Sequence, residues 1–147
     1  MDGTRRLKPL TILGVTGSIG RQTLDVADSL DLRVAGMAAY RGSDRLLLAA
    51  RRHPDARVVV VGPTNDERER YLAALGRRVE FGTDALLALA GEPDRIVVNG
   101  IVGAAGLAPT VTALEAGNRV ALANKESLVA GGPVVVAAAA AGHGEVI

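Results

Sequence analysis

Residues 14–20 read Gly-Val-Thr-Gly-Ser-Ile-Gly and follow the apolar run Leu10-Thr11-Ile12-Leu13. Glycines three apart, between a strand-like and a helix-like segment, suit the holding of a phosphate. Gly14 permits the tight turn, Gly17 lets the backbone approach the phosphates, and Gly20 lets the helix pack on the strand. The helix that follows points its unpaired N–H groups and its positive dipole end at the pyrophosphate. Thr16 and Ser18 add hydroxyl donors. Thr16 also replaces the second glycine of the G-x-G-x-x-G pattern, and a tight turn without a ligand would use the same glycines.

Three more segments carry polar residues in positions where they could meet such a ligand. In Ala39-Tyr40-Arg41-Gly42-Ser43, an NAD enzyme would place an Asp or Glu to hold the ribose hydroxyls. No acid stands there. Arg41, 21 positions after Gly20, stands there instead, with Gly42 and Ser43 beside it. A guanidinium and a hydroxyl suit a 2′-phosphate, which a carboxylate would repel. This favours NADPH over NADH, the alternative being a solvated loop arginine. Asp44 reads as a helix cap. The segment Asn99-Gly100-Ile101-Val102-Gly103-Ala104-Ala105-Gly106 is small enough to let a flat ring lie on the backbone, or is simply a flexible connection. In Asn124-Lys125-Glu126-Ser127, Asn124 suits a helix cap and Glu126 a first turn. A lysine at a helix start opposes the dipole, so Lys125 is better explained by an anionic ligand.

These residues need a frame that brings loops to one edge. Short Val- and Ile-rich runs predict strands over 10–14, 33–38, 58–61, 96–99 and 120–123, with a last one starting at Glu145. Helices are predicted over 18–30, 44–52, 67–75, 84–89, 108–116 and 133–141. Thr64 to Glu67 forms a capping box, Thr83 and Asp84 open a helix, and Pro109 with Gly117 brackets another. Pro133 and Gly142 bracket the last helix, whose alanines 137–141 read as a buried face. The alternation predicts β-α-β units: an α/β, Rossmann-like doubly wound, mostly parallel sheet with helices on both faces. Right-handed crossovers then place the loops after the strands along one edge. No linker divides residues 1–147.

Bulk properties exclude several functions. Net charge is +1 over 147 residues, which gives no electrostatic case for nucleic acid or an acidic membrane. Aromatics are 2%, too few for base-stacking platforms. There is no cysteine, which excludes disulfides and thiolate chemistry and fits a cytoplasmic protein. The first residues do not make a signal peptide, and the apolar stretch 134–141 is too short to span a bilayer. His53 and His143 read as surface residues, and Asp25 and Asp28 as solvated or structural. No Ser-His-Asp set, paired carboxylates or metal-spaced cluster is visible.

The turn 14–20, Ile-Val-Gly-Ala-Ala-Gly-Leu at 101–107 and Leu-Ala-Asn-Lys-Glu-Ser-Leu-Val at 122–129 together resemble 1-deoxy-D-xylulose 5-phosphate reductoisomerase. Their order and spacing are similar to its N-terminal NADPH-binding domain from about Leu10 onward. The resemblance implies an NADPH-dependent enzyme of non-mevalonate isoprenoid synthesis. It converts 1-deoxy-D-xylulose 5-phosphate to 2-C-methyl-D-erythritol 4-phosphate with a divalent metal, Mg or Mn, usually as a homodimer. It implies that Thr16, Gly17, Ser18 and Ile19 hold the pyrophosphate and that Gly100 and Ile101 lie near the nicotinamide. Asn124 and Glu126 match cofactor contacts, and Lys125 matches a contact to the phosphorylated sugar. Arg41 falls where the family often has a lysine or other polar group near the 2′-phosphate. The family often reads Gly-Lys-Asn or Gly-Gly-Ala where this chain has Tyr40-Arg41-Gly42.

In the family an Asp-Ser-Glu metal motif follows the strand that begins near Glu145, and this sequence stops at Ile147. The expectation is a fragment that binds NADPH and turns over nothing, with the catalytic and metal residues on domains outside it. The alternatives are a stand-alone nucleotide-binding module or a piece of another NADP-dependent reductase, such as aspartate-semialdehyde dehydrogenase or dihydrodipicolinate reductase. Asn124-Lys125-Glu126-Ser127 argues against those two reductases.

Overall fold

The computed structural model describes residues 7–123 and 125–147, and for 125–130 the backbone alone. The apolar runs form strands β1 (Leu10–Leu13), β2 (Val34–Ala39), β3 (Arg57–Val60), β4 (Val79–Phe81), β5 (Ile96–Asn99), β6 (Arg119–Leu122) and β7 (Glu145–Val146). Between them lie helices α1 (Ser18–Ser29), α2 (Asp44–Arg52), α3 (Asn65–Leu75), α4 (Thr83–Ala90), α5 (Leu107–Glu115) and α6 (Lys125–Gly142).

One sheet has the order β4-β3-β2-β1-β5-β6-β7, and every pairing is parallel. The chain builds from β1 out to β4, returns to the other side of β1 at β5, and builds out again to β7. Strand order therefore reverses between β1 and β5, where open α/β sheets bind ligands. Alternate strand residues feed two cores. Ile12, Met37, Val58 and Val60 pack with Leu46, Tyr71 and Leu75 from α2 and α3. Leu13, Ala38, Val59 and Val97 pack with Leu89, Leu114 and Val135 from α4, α5 and α6. Each buried Val, Leu, Ile or Met side chain among them contributes roughly 1.5–3 kcal/mol, so burial on both faces holds the sheet.

Local signals set the helix ends. The Thr64 side chain accepts from Glu67 N–H while the Glu67 carboxylate accepts from Thr64 N–H, completing the capping box. The cap of α2 is Ser43, whose hydroxyl accepts from Leu46 N–H at 3.1 Å. Asp44, expected as that cap, is instead the first helical residue and pairs with Arg70.

Three further expectations are corrected. Strand β4 was not foreseen: it is three residues at the sheet edge, with the exposed Glu80 between Val79 and Phe81. The helix predicted from Pro133 is present: α6 is two helical segments joined where Gly131 leaves helical geometry (φ −121°, ψ 16°). Pro133 lies in the first turn of the second segment, and the first segment opens at Lys125, where a helix start was also expected. The alanine run is not a buried face, since Ala138 is in the core while Ala137, Ala140 and Ala141 are exposed. His53 is not a surface residue. Its side chain is 13% exposed and its Nε2 lies 3.1 Å from Asp28, which also pairs with Arg52.

Candidate functional site

The turn after β1 is assembled from its glycines. Gly14 adopts φ +76°, where L side chains are strained, and a Cβ there would lie 3.0 Å from the Gly100 carbonyl carbon. A Cβ on Gly20 would lie 2.3 Å from Gly14 O and 2.5 Å from Val15 Cα, so only glycine lets α1 sit this close to β1. Gly17 differs from both. Its φ of −76° suits any residue, and a Cβ would meet only Gly14 O, at an ordinary 3.4 Å. Nothing inside the protein requires glycine at 17, which leaves its bare backbone available to an outside group.

The start of α1 has the same character. Gly17 is its N-cap, no side chain caps it, and its first turn holds no acid. The helical ladder begins with Arg21 N–H donating to Gly17 O at 2.9 Å. The amides of Ser18, Ile19 and Gly20 precede it and have no partner within the helix. Thr16 is half-buried, while Gly17, Ser18 and Ile19 are exposed. Exposed donors at a positive helix end fit an anion. Helices α4 and α5 also lack side-chain caps, but α4 follows the edge strand β4 and α5 is set off from β5 by residues 100–106, whereas α1 opens on the glycine turn next to β1, at the point where strand order reverses.

The loop after β5 meets this turn directly. Gly100 N–H donates to Leu13 O at 2.8 Å, and a Cβ on Gly100 would lie 3.6 Å from Ile19 Cβ. Hydrogen bonds hold both ends of this loop. Asn99, 2% exposed, donates through Nδ2 to Gly106 O and Thr110 Oγ1, and its Oδ1 accepts from Ile101 N–H at 3.1 Å. Those bonds fix Gly100 and Ile101 beside the glycine turn. Asn99 was assigned no role from the sequence; its signal is a polar residue ending an otherwise apolar strand.

On the other flank, Gly14 N–H and Val15 N–H both donate to Ala38 O at 2.9 Å, joining the turn to the end of β2. Residues 41–43 follow, tied to α3. Arg41 Nε–H donates to Glu67 Oε1 at 3.2 Å, and Gly42 N–H donates to Glu67 Oε2 at 3.1 Å. Ser43 N–H donates to the Tyr71 hydroxyl, which donates in turn to Ser43 O at 2.7 Å. A Cβ on Gly42 would lie 2.6 Å from the Tyr71 ring, so α3 requires glycine at 42. The Gly42 amide is the main cause that holds the Glu67 carboxyl below the usual glutamate range, with Thr64 and Arg41 adding to it against partial burial. Burial raises the Tyr71 hydroxyl. Sequence reading found Glu67 only as half of a capping box; its reach to a loop 25 residues away leaves no local signal.

The structure thus brings Thr16, Gly17, Ser18 and Ile19 together with Gly100 and Ile101, and sets Arg41, Gly42 and Ser43 at the next strand end. The backbone of Lys125 and Glu126 opens α6 directly after β6, on the same edge. Their side chains, and Asn124 as a whole, lie outside the described residues. Two recessed volumes, about 340 and 780 Å³, lie at the opposite edge around Leu32, Arg33 and Asp31. Both are remote from the glycine turn, and neither has a helix N-terminus or glycine turn among its lining residues. Among the described residues no three His, Cys, Asp or Glu side chains are placed to hold a metal ion.

Comparison with known proteins agrees with this geometry. The family model for 1-deoxy-D-xylulose 5-phosphate reductoisomerase matches residues 10–132. The reductoisomerase of Beutenbergia cavernae is 50% identical over 139 residues, covering 89% of this chain and 35% of its own length. The reductoisomerase from Zymomonas mobilis in complex with NADPH superposes with a TM-score of 0.84 at 36% identity, over 95% of this chain and 38% of that one. A reductoisomerase in complex with NADPH, fosmidomycin and magnesium superposes at 0.82 with 32% identity, over 95% of this chain and 36% of that one. The chain therefore spans about a third of the length of these relatives. With its matched segment running from β1 into α6, it belongs to the 1-deoxy-D-xylulose 5-phosphate reductoisomerase family.

Proposed function

We propose that residues 1–147 form the NADPH-binding domain of an enzyme that isomerises and reduces 1-deoxy-D-xylulose 5-phosphate to 2-C-methyl-D-erythritol 4-phosphate. The observation that carries this reading is Gly17, a glycine that no contact within the protein demands, at the uncapped start of α1. The cradle fits a pyrophosphate, with Thr16, Gly17, Ser18 and Ile19 supplying backbone and hydroxyl donors. NADPH supplies a hydride when bound; the chain's own residues bind and orient it. Gly100 and Ile101, held by Asn99, provide a flat backbone surface for the nicotinamide. Arg41 and the Ser43 hydroxyl take the 2′-phosphate, Ser43 donating outward while its oxygen caps α2. Asn124 and Glu126 contact the cofactor and Lys125 the sugar phosphate. Support for this comes from their place in the sequence and from the start of α6 on the same edge.

The described residues do not provide a divalent metal site. The chain by itself is proposed to bind NADPH without turnover. A cytoplasmic location and a homodimer of the whole enzyme complete the reading. Among the described residues no helix is long and apolar enough to cross a membrane. A monomeric mass for the whole enzyme in sedimentation would remove the dimer.

Titration of the chain with NADPH and NADH, repeated on Arg41→Ala, tests the cofactor assignment. One charge-assisted contact to the 2′-phosphate is worth roughly tenfold to a hundredfold in affinity. NADPH is expected to bind tighter by that factor, and Arg41→Ala to lose most of the difference. Equal binding of the two cofactors, or an unchanged preference in the variant, overturns it.

A further inference from the structure

Glu67 stands in an unusual place for a carboxylate. It belongs to the first turn of α3, yet its oxygens reach the loop after β2, where Arg41 is assigned to the 2′-phosphate. Two roles of opposite sign are open to an acid there. It could accept the ribose hydroxyls and repel a 2′-phosphate, as the acid of NAD enzymes does. Alternatively it could hold the arginine for that phosphate.

The contacts decide between them. Oε1 accepts the Arg41 Nε–H, and Oε2 accepts the amides of Gly42 and Thr64. Three donors from the protein already converge on one carboxylate, whose side chain is 21% exposed. Among the described residues Arg41 is bonded only through its Nε–H, which leaves the donors of both terminal Nη groups without a partner there, and its side chain remains 54% exposed. A planar guanidinium gripped by Nε presents a fixed two-nitrogen fork, the shape that pairs with phosphate oxygens. The loop is fixed from behind as well, by the paired bonds between Ser43 and Tyr71 and by Gly42 against the Tyr71 ring.

We infer that Glu67 is the positioning residue for cofactor selectivity, holding Arg41 and the Gly42 amide so that the chain prefers a 2′-phosphorylated nucleotide. This rests on the NADPH reading of Arg41. The acid acts through the arginine and does not touch the cofactor itself.

The test measures Kd for NADPH and NADH on the wild-type chain, Glu67→Ala, Thr64→Ala and the double variant Arg41→Ala/Glu67→Ala, with circular dichroism confirming the fold. Thr64→Ala breaks the other half of the capping box but leaves the Glu67 contacts to Arg41 and Gly42 in place. The expected result for Glu67→Ala is an NADPH affinity about tenfold weaker with NADH within about twofold. Thr64→Ala should keep the wild-type preference, and the double variant should match Arg41→Ala alone. Tighter NADPH binding by Glu67→Ala would show that the acid repels the phosphate, and overturns the inference. An unchanged preference overturns it too, as does an equal loss in Thr64→Ala, which would trace the effect to helix stability. A wild-type chain without preference instead overturns the parent reading of Arg41, and this inference with it. If Glu67→Ala fails to fold, Glu67→Gln serves in its place; it keeps the side-chain length but removes the charge, and is held to the same outcomes.

Discussion

At the scale of single residues, the three glycines of the turn divide by what surrounds them. Gly14 and Gly20 answer to the protein, through a positive φ and a 2.3 Å approach to backbone; Gly17 answers to neither. Gly20→Ala is therefore expected to destabilise the fold by about 2 kcal/mol or more, because backbone must shift. Gly17→Ala should stay within about 0.5 kcal/mol of the wild type in urea denaturation while weakening NADPH binding. A Gly17→Ala variant that unfolds, or that binds NADPH unchanged, contradicts the assignment. Glu67 adds a pH dependence of definite sign. Its carboxyl titrates below the usual glutamate value in the folded chain, so its contribution is present above that value and lost as pH falls through the folded one. The difference in melting temperature between wild type and Glu67→Gln should be greatest near neutral pH and shrink below about pH 4. A difference that grows toward acid would reverse the sign and refute the cause.

At the scale of elements, helix ends decide where the site loops sit. The C-terminal end of α2 is held by Arg78, whose Nη2 donates to Ala50 O and His53 O at 2.9 Å while its Nε–H donates to Ala56 O at 3.2 Å. These are half-buried, charge-assisted bonds. Arg78→Ala should cost roughly 2–3 kcal/mol in urea denaturation with an unchanged slope. Arg78→Lys should recover only part, lacking the planar fork. A loss under about 0.5 kcal/mol would show that these bonds do not hold the helix. Most elements were legible because strands buried on both faces read as Val- and Ile-rich runs, and because Thr64-x-x-Glu67 marks a helix start. What escaped has physical reasons. Strand β4 is an edge strand whose middle residue must face solvent, so three residues hide it. The break at Gly131-Gly132-Pro133 was readable, whereas its packing reason was not: the missing side chain of Gly131 makes room for Leu107.

At the scale of the whole molecule, the parallel sheet reverses strand order between β1 and β5, and this gathers residues from distant segments at one edge. Alternating strands and helices made that edge readable before any coordinates. So were the glycine turn and Arg41, which are local patterns. The supports were not readable: Glu67 to Gly42, Tyr71 to Ser43 and Asn99 to Thr110 are links across sequence, formed only when α3 and α5 pack on the sheet. The central claim is that NADPH binds along the edge where β1, β2 and β5 end. The most direct measurement is a titration of the isotopically labelled chain with NADPH, followed by amide chemical shifts. The account predicts the largest shifts at 16–20, 41–43 and 100–101, with the amides of Asp31, Arg33 and Asp55 at the opposite edge unmoved. Shifts concentrated around those last residues, with the glycine turn silent, would contradict it.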